Sequence, residues 1–338
     1  MQKLIATSLL LLIQLLLWQT TAHANPSLQG VRSFGYQLQN ATVSGIVNAP
    51  YDLVVIDYSK DGSDGEAFTR SEIAAMKRSG KKVLAYLSIG EAEDYRYYFN
   101  SSWVRSKSGA PCSVTRTARA PAWLDDSNPE WCGNYKVRYW MKEWQQLLYG
   151  TRRGPSKSYL DRIIDAGFDG AYLDIVDGYD YWRSKTGADR RVSAAHDMAL
   201  LVVSLGHYAR TVRGKKNFVL VPQNGAEILG RITPQMRARY LRAIQGIGAE
   251  DTFYFGPNDE DNPLDPQPAR FALKRFLSAG KKVFAVDYLL DNDKISDFAG
   301  RACEIGFIPQ VATRALDTLD TQVLDGCNCI SSISGSVC

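Results

Sequence analysis

The sequence predicts a single (β/α)8 barrel, and three observations carry the prediction. Eight short apolar runs alternate with amphipathic stretches, the stretches start and stop on helix-capping residues, and acids gather where the runs end. The runs fall at 34–38, 53–57, 83–88, 170–174, 218–222, 243–248, 283–287 and 308–312. Segments this short, β-rich and almost continuously apolar suit strands buried on both faces. Helical patterns occupy 69–79, 159–166, 193–212, 234–241, 268–279 and 294–304. The first opens on a Thr-x-x-Glu capping box, Thr69 with Glu72, and ends at Gly80. The second sets Leu160, Ile163 and Ile164 at helical spacing and stops at Gly167. Gly-Lys-Lys-Val occurs at 80–83 and again at 280–283, each time as a helix end leading into a strand. An open doubly wound sheet is the competing architecture. Its nucleotide-binding form is disfavoured because no Gly-x-Gly-x-x-Gly follows the first run.

Ahead of the barrel, Lys3, an apolar run from Ile5 to Trp18 and Ala22-His23-Ala24 read as a cleaved signal peptide over 1–24. The expected organisation is that leader, a catalytic barrel over 25–316 with an insertion at about 100–134, and a Cys-rich tail over 317–338. A secreted or periplasmic protein follows, with no membrane association once the leader is removed. The whole chain carries a formal charge of +4, one unit of it from Lys3. So small a balance without a dense Lys/Arg run argues against a nucleic-acid partner. All six cysteines lie beyond the leader, and an even count in an exported chain reads as disulfides. Cys112 and Cys132 bracket the polar insertion and are expected to pair. Cys303, Cys327, Cys329 and Cys338 are expected to staple the tail to the last helix. Zinc is disfavoured, because Cys327-Asn328-Cys329 lacks the usual ligand spacing and has no His nearby.

Asp57, Glu91, Asp174, Glu250 and Asp287 each sit at or just after the C-terminal end of a different expected strand. In a barrel that rim builds the active site. One such acid is readily a turn or cap residue, but five converging on one mouth repel one another at a cost that only a functional requirement justifies. Tyr58, Tyr86, Tyr95, Tyr179, Tyr181, Trp182, Tyr254 and Tyr288 lie within a few residues of these acids, and Asn224 reaches the same rim. Carboxylates mixed with aromatic rings suit a sugar, whose hydroxyls accept and donate hydrogen bonds while its C–H faces pack on rings. Tyr86 reads as packing for the barrel top. A Ser-His-Asp site is weak, since His196 and His207 share one helical pattern and no Gly-x-Ser-x-Gly elbow exists. No cofactor and no metal is expected, although carboxylates alone could hold Ca2+ or Mg2+.

The pieces at 55–58, 85–96 and 167–174, with Gln223-Asn224, 246–251 and Val286-Asp287-Tyr288, carry a resemblance, and within them Leu87-Ser88-Ile89-Gly90-Glu91-Ala92-Glu93 and Gly167-Phe168-Asp169-Gly170 are the specific parts. Across roughly 34–316 the chain resembles glycoside hydrolase family 114, the endo-α-1,4-polygalactosaminidase-like barrels. The resemblance implies a (β/α)8 fold and hydrolysis of α-1,4-linked galactosamine-rich polysaccharide. It also implies a catalytic pair, an Asp after the fourth strand and a Glu after the sixth, which are Asp174 and Glu250 here. The insertion and the Cys-rich tail depart from the family's motif pattern.

Glycoside cleavage needs a proton for the leaving oxygen and stabilisation of an oxocarbenium-like centre, and two carboxyl groups supply both. The expected roles are Glu250 as general acid and Asp174 as nucleophile or stabilising base. Asp57, Tyr58, Glu91, Asn224, Asp287 and Tyr288 are then expected to bind the substrate, on a monomeric enzyme. Three other classes stay in view: an inactive carbohydrate-binding barrel, a carboxylate-metal hydrolase, and a surface adhesin that binds through 326–338.

Overall fold

Eight parallel strands form in the order of the apolar runs. They are β1 (Phe34–Gln37), β2 (Leu53–Ile56), β3 (Lys82–Ser88), β4 (Gly170–Asp174), β5 (Val219–Pro222), β6 (Gly246–Glu250), β7 (Lys282–Asp287) and β8 (Ile308–Val311). The computed structural model describes residues 27–107, 112–151, 153–154, 156–255, 262–263, 268–319 and 323–324. The leader read at 1–24 and most of the tail read at 317–338 lie outside the described residues.

β1 to β5 pair in sequence order as one parallel sheet, and β6 to β8 as another. The two sheets meet between β5 and β6 through the parallel bridge Gln223–Gly248. Gln245 N–H donates to Leu220 O at 3.0 Å there, and Asn224 N–H donates to Gly248 O at 2.8 Å. At the other edge the Leu38 and Gln39 N–H groups, just past β1, both donate to Leu316 O, beyond β8.

Ten α-helices connect the strands among the described residues: α1 (Val43–Asn48), α2 (Arg70–Arg78), α3 (Lys142–Leu148), α4 (Tyr159–Ala166), α5 (Gly178–Ser184), α6 (Ala194–His207), α7 (Ile228–Arg231), α8 (Pro234–Ala243), α9 (Pro268–Ser278) and α10 (Asn292–Glu304). The capping box at Thr69 forms with both halves present, and such a cap contributes about 1 kcal/mol. Both Gly-Lys-Lys-Val segments turn at a left-handed glycine, Gly80 (φ 92°) and Gly280 (φ 72°). In each, the first lysine reaches back to the end of the previous unit's helix. Lys81 Nζ donates to Val47 O (3.0 Å) and Lys281 Nζ to Ile244 O (2.8 Å).

Two departures from the expected boundaries matter. The sixth strand begins at Gly246 rather than 243, because α8 continues to Ala243, so Glu250 is the last residue of its strand rather than a loop residue. Between β3 and α3 the chain builds a small antiparallel sheet from Glu91–Glu93, Asn134–Val137 and Leu124–Ser127, with a hairpin of Val104–Ser106 against Val114–Arg116. Cys112 and Cys132 are bonded across this insertion, their Cα atoms 4.4 Å apart. Cys303 on α10 is also disulfide-bonded, to a partner outside the described residues.

The apolar core divides by strand parity. Phe34, Tyr36, Leu53, Val55, Leu84, Tyr86, Tyr172, Phe284 and Val286 join one buried cluster. Their strand neighbours Val54, Ile56, Val83, Ala85, Leu173 and Ala285 join a second, together with the helix residues Ile73, Leu160 and Phe298. Successive side chains of a strand point to opposite faces, so the first cluster is the inner layer and the second lies against the helices.

Candidate active site

Parity sorts the expected site residues before any distance is needed. On β2, Leu53 and Val55 face the inner layer, so Asp57 follows them inward and Tyr58 turns out. Tyr58 accordingly packs with the outer layer, its ring 4.9 Å from Tyr159 of α4. On β7, Phe284 and Val286 point inward, which brings Tyr288 inward and sends Asp287 to the helix side. Asp174 shares its face with Tyr172, and Glu250 shares its face with Gly246 and Gly248.

Asp174 and Glu250 are therefore brought together at the strand ends. Asp174 Oδ2 accepts from the Tyr86 hydroxyl at 2.7 Å, and Oδ1 accepts from Ile175 N–H at 2.8 Å. Ile175 sits at φ 56°, a costly conformation for a β-branched residue and of the kind that functional sites retain. Glu250 is held from three sides. Its Oε2 accepts from the side-chain amides of Gln223 and of Asn224 (3.2 Å), and its Oε1 accepts from the Tyr288 hydroxyl. Asn224 also accepts the Glu250 backbone N–H at 3.1 Å. Behind Tyr288, the Arg314 guanidinium lies 4.1 Å from the ring centroid and pairs with Asp251 at 2.8 Å.

Burial pushes the Asp174 carboxyl well above the usual range, and the charge of Glu250 pushes it further. Burial raises Glu250 as well, but hydrogen bonds from Tyr288, Asn224 and Gln223 draw it back. Tyr36 and Tyr172, whose rings lie 5.2 Å apart, feel both carboxylates. The two acids thus share one poorly solvated space over a floor of tyrosines. Two carboxyl groups in such a space do not both ionise readily, so they titrate as a coupled pair.

The other three acids are committed inside the protein. Asp57 accepts two bonds from the Arg96 guanidinium (2.9 and 2.6 Å), which also binds Glu93 at 2.7 Å. Glu91 is fully buried under the insertion, bonded by Lys136 and by the Asn128 amide at 3.1 Å. Asp287 accepts the N–H groups of Thr252, Phe253 and Tyr254 (2.7, 2.8 and 2.9 Å) and the Thr252 hydroxyl (2.8 Å). It fixes the loop that follows Glu250.

With the geometry in hand, residues 18–329 match the model of glycoside-hydrolase family GH114. The chain belongs to this family. An uncharacterised protein of Methanocaldococcus jannaschii is 36% identical over 297 residues, covering 85% of this chain and 78% of that protein. One of Thermotoga maritima is 35% identical over 301 residues, covering 86% and 83%. The fold is shared with the glycoside hydrolase domain of PelA from Pseudomonas aeruginosa, at TM-score 0.55 and 19% identity over 87% of this chain and 100% of that one. It is shared too with Ega3 of Aspergillus fumigatus, solved in complex with galactosamine, at TM-score 0.55 and 18% identity over 89% and 98%.

Three residues of the candidate site escape a reading by sequence. Tyr86, read as packing, donates to Asp174. Its signal is register, since Tyr86 pairs with Tyr172 and Ser88 with Asp174 across β3 and β4. Gln223 precedes Asn224 at the end of β5 and grips the same carboxylate. Asp177, three residues past Asp174, opens α5 without capping it.

Proposed function

We propose that this GH114 protein is an exported glycoside hydrolase that cleaves an α-1,4-linked, galactosamine-containing polysaccharide internally, using Asp174 and Glu250. One observation carries the reading. A buried and a half-buried carboxyl group face a common space from β4 and β6, each held by its own hydrogen bonds, and the charge of Glu250 raises Asp174 further. Such a pair shares a proton, and glycoside hydrolysis needs one carboxyl to protonate the leaving oxygen while the other, ionised, stabilises the oxocarbenium-like centre or attacks it. Water then adds at the anomeric carbon and returns the proton.

The donor asymmetry favours the charge on Glu250 and the proton on Asp174 in the empty site. That is the reverse of the roles expected from the sequence. Asn224 and Tyr288 hold Glu250 in place at the mouth. Asp57, Glu91, Asp287 and Tyr58 act as positioning residues rather than as sugar ligands, because their polar groups or rings are occupied internally. The likeness to a fold that holds galactosamine in Ega3, and a mouth built of acids, support an amine-bearing substrate. In this reading the five- and three-stranded sheets are halves of one closed (β/α)8 barrel, and the enzyme works as a monomer without a metal or other cofactor. Among the described residues no three metal-ligating side chains converge. The Cys112–Cys132 bond supports export, since disulfides persist in oxidising compartments. No described helix is long and apolar enough to cross a membrane.

The test is product release from partially deacetylated galactosamine polymer by wild type, Asp174→Asn and Glu250→Gln, with and without EDTA. Oligosaccharides from wild type despite EDTA are expected, with both variants at least about 1,000-fold slower. An activated leaving group is expected to relieve Asp174→Asn more than Glu250→Gln; the converse returns the acid role to Glu250. Loss of activity in EDTA overturns the metal-free mechanism. Wild-type inertness with polymer binding intact turns the reading to a carbohydrate-binding barrel.

A further inference from the structure

The fold pairs every acid at the mouth named so far, with one exception. Asp57 and Glu93 are bound to Arg96, Glu91 to Lys136, Asp251 to Arg314, and Asp287 to the backbone of the loop after β6. Asp174 and Glu250 have their tyrosines and amides. The Asp177 carboxylate has no hydrogen bond or ion pair to another residue among the described residues; only its backbone carbonyl is engaged, by Asp180 N–H at 2.8 Å. It stands at the N-cap position of α5, where an Asp ordinarily accepts from the helix backbone, yet it makes no such bond. The usual local explanation for an Asp in this place is therefore missing.

Its setting is that of a cleft. Asp177 is open to solvent, and its neighbours Val176, Gly178 and Tyr179 are buried. Protein surrounds the carboxyl closely enough that desolvation pushes it up to about 6; Lys136 of the insertion draws it down, while Glu250 and Glu91 push it further up. Asp174 feels its charge in turn. The backbone is packed tightly as well, for a Cβ on Gly225 would come within 3.1 Å of Asp177 N. An isolated carboxylate, costly to ionise and left without a donor beside a reacting pair, is a group that a bound cation would complete.

We propose that Asp177 is a substrate-binding residue that holds the protonated amine of a sugar seated beside the Asp174–Glu250 pair. The proposal rests on the galactosamine reading above and deepens it by naming the residue that selects a free amine over an N-acetyl group. An N-acetylated or neutral sugar gives the carboxylate no charge to bind, so selectivity arises at this one position. Lys136, ion-paired with Glu91 and 5.6 Å from the Tyr181 ring centroid, faces the same space and keeps the mouth from becoming uniformly acidic.

The experiment uses the full chain. kcat/KM is measured for wild type, Asp177→Asn and Asp177→Glu on galactosamine oligomers in fully deacetylated and partly N-acetylated forms. Binding of the deacetylated and the fully N-acetylated oligomers is measured in a Glu250→Gln background, where turnover is suppressed. Asp177→Asn is expected to lose about tenfold or more on the amine form, the range for one charged hydrogen bond, and to change less than about twofold on the N-acetylated form. Asp177→Glu is expected to recover part of the loss. Equal losses on both forms assign Asp177 a structural role and overturn the proposal, as does no loss on either. Wild type inert on every amine-bearing polymer overturns the substrate reading and this inference together, whereas an active wild type with an indifferent Asp177→Asn overturns this inference alone.

Discussion

At Gly248 of β6, a Cβ would lie 1.7 Å from the Tyr172 hydroxyl and 2.5 Å from the ring carbon that bears it. The hydroxyl is buried without a protein partner among the described residues, so the ring cannot be drawn aside toward an existing bond. Gly248→Ala is expected to cost about 1–3 kcal/mol, the range for overfilling a packed interior. It should also lower kcat, because the ring it displaces lies under both carboxylates. Tyr172→Phe is the control: removing a hydroxyl with no partner is expected to change stability by less than about 1 kcal/mol. Denaturant midpoints and kcat on the same preparations check the pair, and a Gly248→Ala protein with wild-type stability contradicts the packing argument.

Asp287 acts on a whole segment rather than on a ligand. One carboxylate accepts three successive backbone N–H groups and a hydroxyl, which fixes the turn from Thr252 to Tyr254 just beyond Glu250. Asp287→Ala leaves those buried donors without an acceptor, and a loss of about 3 kcal/mol or more is expected, with faster amide exchange at 252–254. Asp287→Asn, which keeps one acceptor oxygen, should fall between. Unchanged exchange at these amides would contradict the role. The same residue shows how far the sequence was legible. The strands could be read because runs buried on both faces are almost continuously apolar, and the helices because Thr69, Gly80 and Gly167 mark their ends. That same continuity hides which side each acid takes, so Asp287 and Tyr288 looked alike as rim residues. Counting by twos from Val286 separates them, as counting from Val55 separates Asp57 from Tyr58. What no periodicity reveals is the long-range partner. Arg96 reaching Asp57, and Lys136 reaching Glu91, depend on an insertion whose small sheet has no signature beyond its cysteines.

For the molecule as a whole, burial raises Asp57, Asp174, Glu250 and Asp287 together, Asp287 to about 6. A carboxyl with a higher pKa folded than unfolded binds its proton more tightly in the native state. Its contribution is complete below the unfolded value, about 4, and is lost as pH rises through the folded value. For Asp287 that amounts to about 3 kcal/mol. Glu72 and Asp297 shift downward and act in the opposite sense, but they are more exposed and screened. Tm is therefore expected to be higher at pH 5 than at pH 7.5, and a Tm that climbs across that interval would count against the buried-acid account. The two sheets have a consequence of another kind. Asp174 belongs to the five-stranded sheet and Glu250 to the three-stranded one, so the gap between them is the width of a joint. Product of retained configuration calls for carboxyl groups about 5 Å apart, and inverted product for about 6.5–9.5 Å. In the proposed mechanism, the Gln223–Gly248 bridge and the grip of Asn224 on Glu250 act as a gauge for anomeric stereochemistry. A descendant that loosened this joint by an ångström or two could change the handedness of its product while keeping every reacting group.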